Sequence, residues 1–304
     1  MSTATGTEPD ARRGARQALG LILIGSTGIQ LSSAFAAGLF DSLGPLPVSS
    51  LRMAIAAIVL CALFRPALRG RTRGQWISIV VYGMAMAAMN LCLYSAIDRI
   101  PLGVAVTLEF LGPCAVAFLA SRRVREGLCA LAAFIGVLLI SGPGGYFDAA
   151  GYAFGLGAAA FFALYTVFAE RVGKDDTGLS GLALSVAVAA LVSAPLGIGA
   201  VSRVDGRQWM VLAGVAVVGV AVPYAVDTIA ARLSSARVVG TLFSIDPVMG
   251  SLIGWLVLGE HIGWTSALGI LIVACAGAAV VWLSAPHHPD VPQLATDRAE
   301  SLRA

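Results

Sequence analysis

Charge is what this chain has least of. Only 12% of its 304 residues are Asp, Glu, Lys or Arg, about half the share of an ordinary soluble domain. Histidine is scarcer still: His287 and His288 adjoin in a polar tail and His261 falls in a predicted loop, so two adjacent tail histidines are the whole of any metal signal. The five cysteines, Cys61, Cys92, Cys114, Cys129 and Cys275, all lie inside apolar runs with no C-x-x-C spacing. That pattern argues against a disulfide framework and against a zinc site, and no cofactor is expected. No buried Ser or Cys has a His beside it in the pattern, which argues against an intramembrane enzyme. A net charge of +3, spread in short clusters, is too weak for a nucleic-acid partner.

What is there instead is apolar length. Hydrophobic residues make up 58% of the chain and the mean hydropathy is +0.86. A bilayer core of ~30 Å takes about 20 apolar residues per helix. Runs of that length begin near Leu19, Val48, Trp76, Pro101, Gly127, Gly151, Leu179, Trp209, Val238 and Gly263. The reading is an all-α polytopic membrane protein of ten transmembrane helices. The connections are short and built from breakers or charge, such as Asp41 to Pro47 and Arg65 to Gly74, leaving no room for a soluble domain. Residues 1–17 and 285–304 form polar tails around two five-helix blocks, 18–141 and 150–284.

Lys and Arg set the orientation. With a cytoplasmic N-terminus, sixteen basic residues fall inside, in clusters such as Arg12 to Arg16, Arg65 to Arg73 and Arg122 to Arg125. Three fall outside, Arg99, Arg203 and Arg207, and Arg52 lies within a span. Both termini are therefore expected in the cytoplasm, with the chain in the inner membrane. The start also resembles a cleavable signal, Arg12 to Arg16 before an apolar run and Ala34-Phe35-Ala36. The run is long for that role, and Ser26, Gln30 and Ser33 give it a one-sided polar stripe that suits a permanent helix lining a cavity.

The chain also repeats itself. Placing residue n over n + 134 sets Gly112-Pro113 over Asp246-Pro247, Thr107-Leu108 over Thr241-Leu242, and Glu126 over Glu260. Five helices per copy is an odd number, so the second copy runs through the membrane in the opposite sense. Inverted repeats of this kind place a transporter's substrate site near midplane, between the halves.

Four ionisable residues fall within the predicted spans: Arg52, Glu109, Asp227 and Asp246. Each costs about 2.5 to 3.5 kcal/mol at a helix centre, so they are expected to face the bundle interior. Glu109 and Asp246 lie about eight residues, or ~12 Å, into their helices from opposite faces, near midplane. Pro113, Pro223 and Pro247 stand beside the acids, and a kinked helix is tolerated in lipid only against protein or a wet cavity. Asn90 and Tyr94 share one face at i, i+4, and Tyr165 and Tyr224 are polar handles in the sixth and eighth helices. Plainer roles stay open: an Arg52–Glu109 structural ion pair, Asp227 at the inner interface, prolines as packing kinks, and Asn90 and the tyrosines as bridges between helices. Gly250-x-x-x-Gly254 and Gly151-x-x-x-Gly155 allow close helix approach inside the bundle or between two copies, so a homodimer is also open. A zwitterion would satisfy such a cavity, its ammonium toward Glu109 or Asp246 and its carboxylate toward Arg52. A buried acid there is also a candidate proton carrier.

These residues carry a resemblance. Tyr82-Gly83 through Met89-Asn90, Tyr94, Pro101-Leu102-Gly103, Glu109-Phe110-Leu111-Gly112-Pro113 and Ser121-Arg122-Arg123 are similar to the EamA-type drug/metabolite transporters, and among them to the bacterial threonine and homoserine exporters. Leu51-Arg52, Tyr165, Pro223-Tyr224, Asp246-Pro247 and Leu258-Gly259-Glu260 continue it across nearly the whole chain outside the tails. The resemblance implies two inverted five-helix repeats, alternating access, and export of amino acids or related metabolites. It also implies a cavity lined by Gln30, Arg52, Asn90, Tyr94, Glu109, Tyr165, Tyr224, Asp227 and Asp246. At 227 and 246 this chain has Asp where similar exporters tend to have Glu, one methylene longer. Efflux of cationic drugs is the alternative substrate class, and a non-transporting scaffold, against which the four buried charges stand, is the alternative of another kind.

Overall fold

Helices here begin where the sequence supplies caps. The computed structural model describes residues 7–120, 124–141, 148–175, 179–223 and 243–284, and every regular element among them is helical. In chain order these are α1 Thr7–Ala37, the short α2 Phe40–Leu43, α3 Pro45–Phe64, α4 Arg73–Ile97, α5 Leu102–Ala120, α6 Val124–Ser141, α7 Ala149–Asp175 and α8 Ser180–Gly197. A 3-10 segment, Ile198–Arg203, extends α8, and α9 Gly206–Ala216 runs into a π turn at Val217–Ala221. A 3-10 turn, Phe243–Ile245, leads into α10 Asp246–Leu258, and α11 Trp264–Ser284 follows.

Pro45 opens α3 at a position where its missing N–H goes unused. Thr72 opens α4 with a capping box: Gln75 N donates to Thr72 Oγ1 at 3.3 Å and Thr72 N donates to Gln75 Oε1 at 2.9 Å. Asp205 opens α9 with the same device, at 2.7 Å and 3.0 Å. The two boxes, Thr72-Arg73-Gly74-Gln75-Trp76 and Asp205-Gly206-Arg207-Gln208-Trp209, are 133 residues apart.

Packing follows the same offset. α3 lies against α8, α5 against α10 and α6 against α11, each joining elements at matching places in the two blocks. α4 packs on α7 and α8, α5 also on α7, and α1 runs along α10. At the α6–α11 crossing the contact is reciprocal. A β-carbon on Gly136 would lie 2.8 Å from the Gly269 carbonyl oxygen and 2.8 Å from Val273 Cγ2. One on Gly269 would run into the Gly136 carbonyl and lie 2.8 Å from Ile140 Cγ1. Such an exchange of equivalent partners is the mark of a two-fold contact, here between parts of one chain. Gly250, Gly254, Gly151 and Gly155 also make their close approaches inside the bundle, to Val106, Leu102, Ile100 and Leu108 respectively.

Four helical stretches are long and apolar enough to cross a membrane: Pro45–Phe64, Arg73–Ile97, Ala149–Ala169 and Ser180–Arg203. Leu102–Val116, Leu131–Ile140, Gly206–Ala221, Asp246–Leu258 and Trp264–Ala279 are apolar but shorter. Of the ten spans expected from sequence, four therefore stand by this measure among the described residues. Two of the shorter ones are broken elements, α9 by its π turn and α10 by the 3-10 turn and Pro247 at its start.

The distribution of polarity is inside out. Leu119, Leu191, Ile58 and Trp264 stand largely exposed on the outer surface, while Arg52 is only 5% exposed. An exterior this apolar is suited to lipid rather than water. Inside, one apolar cluster holds Leu51, Leu93 and Leu108 and a second holds Met53, Met86 and Ala87. Arg52 and Asn90 fall at the seam between them, and Glu109 falls where the first gives way to a small cluster around Phe110.

Candidate functional site

Arg52 is the centre of that seam. It sits on α3 between Leu51 and Met53, and its guanidinium meets three neutral acceptors from two other helices. Nη2 donates to Asn90 Oδ1 at 3.0 Å, and Nη1 donates to Tyr94 Oη and, at 3.5 Å, to Ser32 Oγ. The Tyr94 ring lies under the charge, 4.9 Å from Cζ to the ring centroid, and Phe40 packs tilted against the ring at 5.5 Å. A charge of this kind is tolerable in an apolar bundle only because it is so surrounded.

The partners are themselves held. Asn90 Nδ2 donates to the Met86 carbonyl one turn back, at 3.0 Å, which fixes its oxygen toward Arg52. Ser32 Oγ donates to the Val215 carbonyl at 2.8 Å, just before the π turn. Gly219 in that turn supplies the space, because a β-carbon there would run into Ser32 Oγ and lie 3.6 Å from Arg52 Nη1. A π turn shifts the helical hydrogen-bond register and often marks a functional site.

The acids lie toward α10. Glu109 on α5 is buried and meets the charges of Asp246 and Arg52 through space. Asp246 is half-buried at the first turn of α10, and its Oδ1 has no hydrogen-bond partner among the described residues. Gln30 on α1 is buried, and its Oε1 lies 3.5 Å from where a β-carbon of Gly250 would stand. The result is one cation and two acids within a single buried layer. The Arg52 guanidinium is engaged by neutral oxygens, and the direct Arg52–Glu109 ion pair left open by the sequence is not among the contacts of these described residues.

Of the nine residues singled out from sequence, the structure brings Arg52, Asn90, Tyr94, Glu109, Asp246 and Gln30 into this layer. Tyr165 instead packs tilted against Tyr82, ring centroids 4.8 Å apart, and edge-on against Phe162 at 5.4 Å, in the seam of α4 and α7. Tyr224 and Asp227 lie outside the described residues. Ser32 escaped the sequence reading because it stands off the Ser26, Gln30, Ser33 stripe, and only the approach of α3 gives it a role. A cavity of about 330 Å³ opens between Gly44, Pro45, Leu46, Pro47, Ser95, Asp98, Arg99 and Phe154. It lies at helix ends, away from the buried acids, so the charges and not this opening define the site.

Two stretches, 16–142 and 149–283, match the model of the EamA-like transporter family, and together they take in most of the chain. The chain belongs to the EamA-like transporter family. The threonine/homoserine exporter RhtA of Salmonella typhimurium (strain LT2) is 32% identical to it over 263 residues, 84% of this chain and 88% of that protein. RhtA of Escherichia coli (strain K12) is 32% identical over 267 residues, 85% and 90% of the two chains. A solved crystal structure at 21% identity shares the fold, with a TM-score of 0.58 over 94% of this chain and 99% of that one.

Within this EamA bundle the buried layer takes four helices, α1, α3, α4 and α5, from the first stretch of the family match and one, α10, from the second. That is where a family of two matched halves would hold a molecule between them. Among the described residues no group of three or more His, Cys, Asp or Glu placed to hold a metal ion occurs.

Proposed function

We propose that this protein is a secondary transporter of the inner membrane that exports small amino acids, threonine- or homoserine-like, from the cytoplasm by alternating access. The observation that carries the reading is a buried layer holding both signs of charge, Arg52 opposite Glu109 and Asp246, in a chain related to exporters of two zwitterions. Arg52 would take the substrate carboxylate and Glu109 or Asp246 the ammonium, with Gln30, Asn90, Tyr94, Tyr224 and Asp227 completing the lining and Tyr165 standing off it against Tyr82. Ten spans in two inverted repeats, 18–141 and 150–284, are part of the same reading. The reciprocal Gly136 and Gly269 contact and the paired capping boxes support it. Both termini would then face the cytoplasm, on the side where the basic residues cluster.

Two acids against one guanidinium also favour a second substrate class, cationic drugs. Export of radiolabelled threonine and homoserine from loaded cells separates the two. Wild type is expected to export both, and Glu109→Gln to lose at least about tenfold in rate while inserting normally, because a charge-assisted contact to the substrate is gone. A wild type that exports neither amino acid but extrudes cationic dyes would replace the amino-acid reading with the drug reading.

A further inference from the structure

A helical serine or threonine often turns its proton back to a carbonyl one turn earlier. Thr27, Ser95, Thr107 and Ser185 all do so here. Ser32 does not. Its buried hydroxyl donates at 2.8 Å to the Val215 carbonyl of α9, 183 residues away in the chain.

That bond decides what Ser32 offers Arg52. A serine hydroxyl has one proton, and with it committed to Val215 only lone pairs are left to face Arg52 Nη1. The approach to Nη1 is long, at 3.5 Å, and it is confined. A β-carbon on Gly219 would run into Ser32 Oγ and lie 3.6 Å from Nη1, so hydroxyl and guanidinium share the space that this glycine leaves in the π turn. On its other contact Nη1 is held by Tyr94 Oη.

A guanidinium carries five N–H groups. Tyr94, Ser32 and Asn90 take three of them among the described residues. The two that remain are the number a carboxylate takes in a bidentate pair. Asn90 and Tyr94 both stand on α4, in the first stretch of the family match with Arg52 itself, and Asn90 is anchored within its own helix. Ser32 is the acceptor whose own hydrogen bond reaches the second stretch, through Val215.

We infer that Ser32 is a positioning residue: it ties the orientation of the Arg52 guanidinium to the π turn of α9, so that the two remaining N–H groups are presented to the carboxylate of the transported molecule. The inference rests on the reading above that Arg52 takes this carboxylate, and it adds a residue that acts through Arg52 rather than on the cargo.

The test is counterflow of radiolabelled threonine in liposomes containing the full chain, with threonine amide as competitor. The amide keeps the ammonium and the hydroxyl and lacks the carboxylate. Wild type is expected to favour threonine over the amide at least about thirtyfold. Ser32→Ala is expected to raise the half-saturating threonine concentration about tenfold and to leave competition by the amide within about twofold, which narrows the gap to about threefold, with the maximal rate per inserted protein little changed. Ser32→Cys, whose sulfur is a weaker acceptor, is expected to fall between the two and carries the comparison if the alanine variant fails to insert. A serine that serves packing alone would lower the maximal rate and leave the gap as it is. That result overturns the inference while the amino-acid reading stands. A wild type that does not distinguish amide from threonine removes the carboxylate contact at Arg52 and the inference with it. If wild type carries no threonine, the amino-acid reading falls, and heat protection of the purified protein by propionate decides the role of Ser32 separately. Protection that Arg52→Gln abolishes and Ser32→Ala weakens about tenfold upholds it. Protection undiminished in Ser32→Ala, or none in wild type, overturns it.

Discussion

Glu260 ties the loop after α10 to the start of α5. Leu102 N donates to both of its carboxylate oxygens at 3.0 Å, which caps a helix 158 residues earlier in the chain. Gly254 makes the space, since a β-carbon there would run into Glu260 Oε2. Burial pushes the Glu260 carboxyl above its ordinary value, and the Leu102 N–H pulls the other way without cancelling it. The folded state therefore favours the protonated acid. The stability this gives is fully present below the ordinary value of 4.5 and is lost as pH rises through the raised one. Glu260→Gln keeps an acceptor for Leu102 and cannot ionise, so at pH 8 it is expected to melt at or above the wild-type temperature, with the difference shrinking as pH falls toward 4.5. Glu260→Ala uncaps α5 and is expected to cost about 1 kcal/mol. Melting in detergent across that pH range checks both, and a Gln variant that melts well below wild type at pH 8 would show that the charge itself stabilises the loop.

At the scale of helices, the α6–α11 crossing depends on two glycines with no room for more. Gly136→Leu is expected to destabilise by about 1 to 3 kcal/mol or to prevent folding, because the Gly269 backbone cannot yield as a side chain would. The same change at Gly199, where no atom lies within 4 Å of a β-carbon, is expected to be near neutral, and paired melting curves compare them. Much of this level was legible in the sequence. Trp76 and Trp209 mark the starts of α4 and α9 because each follows a complete capping box. The boxes themselves were harder to see, since Thr72 and Asp205 differ in type and share only the ability to accept from an N–H three residues on. The Ser26, Gln30, Ser33 stripe announced a polar face, and the spans of Arg52 and Glu109 announced buried charge. Which groups meet was not legible. Arg52 reaches Ser32, Asn90 and Tyr94 through the approach of three helices and a π turn, and nothing in residue spacing along one helix encodes a neighbour from another.

At the scale of the molecule, two matched halves are what the proposed alternating access would require. Near-symmetric packing of α3 on α8, α5 on α10 and α6 on α11 is the arrangement that the proposed rocking between two similar states would use. The proposed inversion of the halves would place the loop after α3 and the loop before α7 on opposite membrane faces. Cysteines introduced at Arg69, exposed in the first loop, and Ala149, exposed at the start of α7, read this directly against the labelling of the parent chain. In intact cells an impermeant maleimide is expected to modify Ala149→Cys at once and Arg69→Cys only after permeabilisation. The opposite pattern would turn the chain over and reverse which face the acids serve. Labelling of both from outside would place an even number of crossings between them, which five helices to a half cannot give.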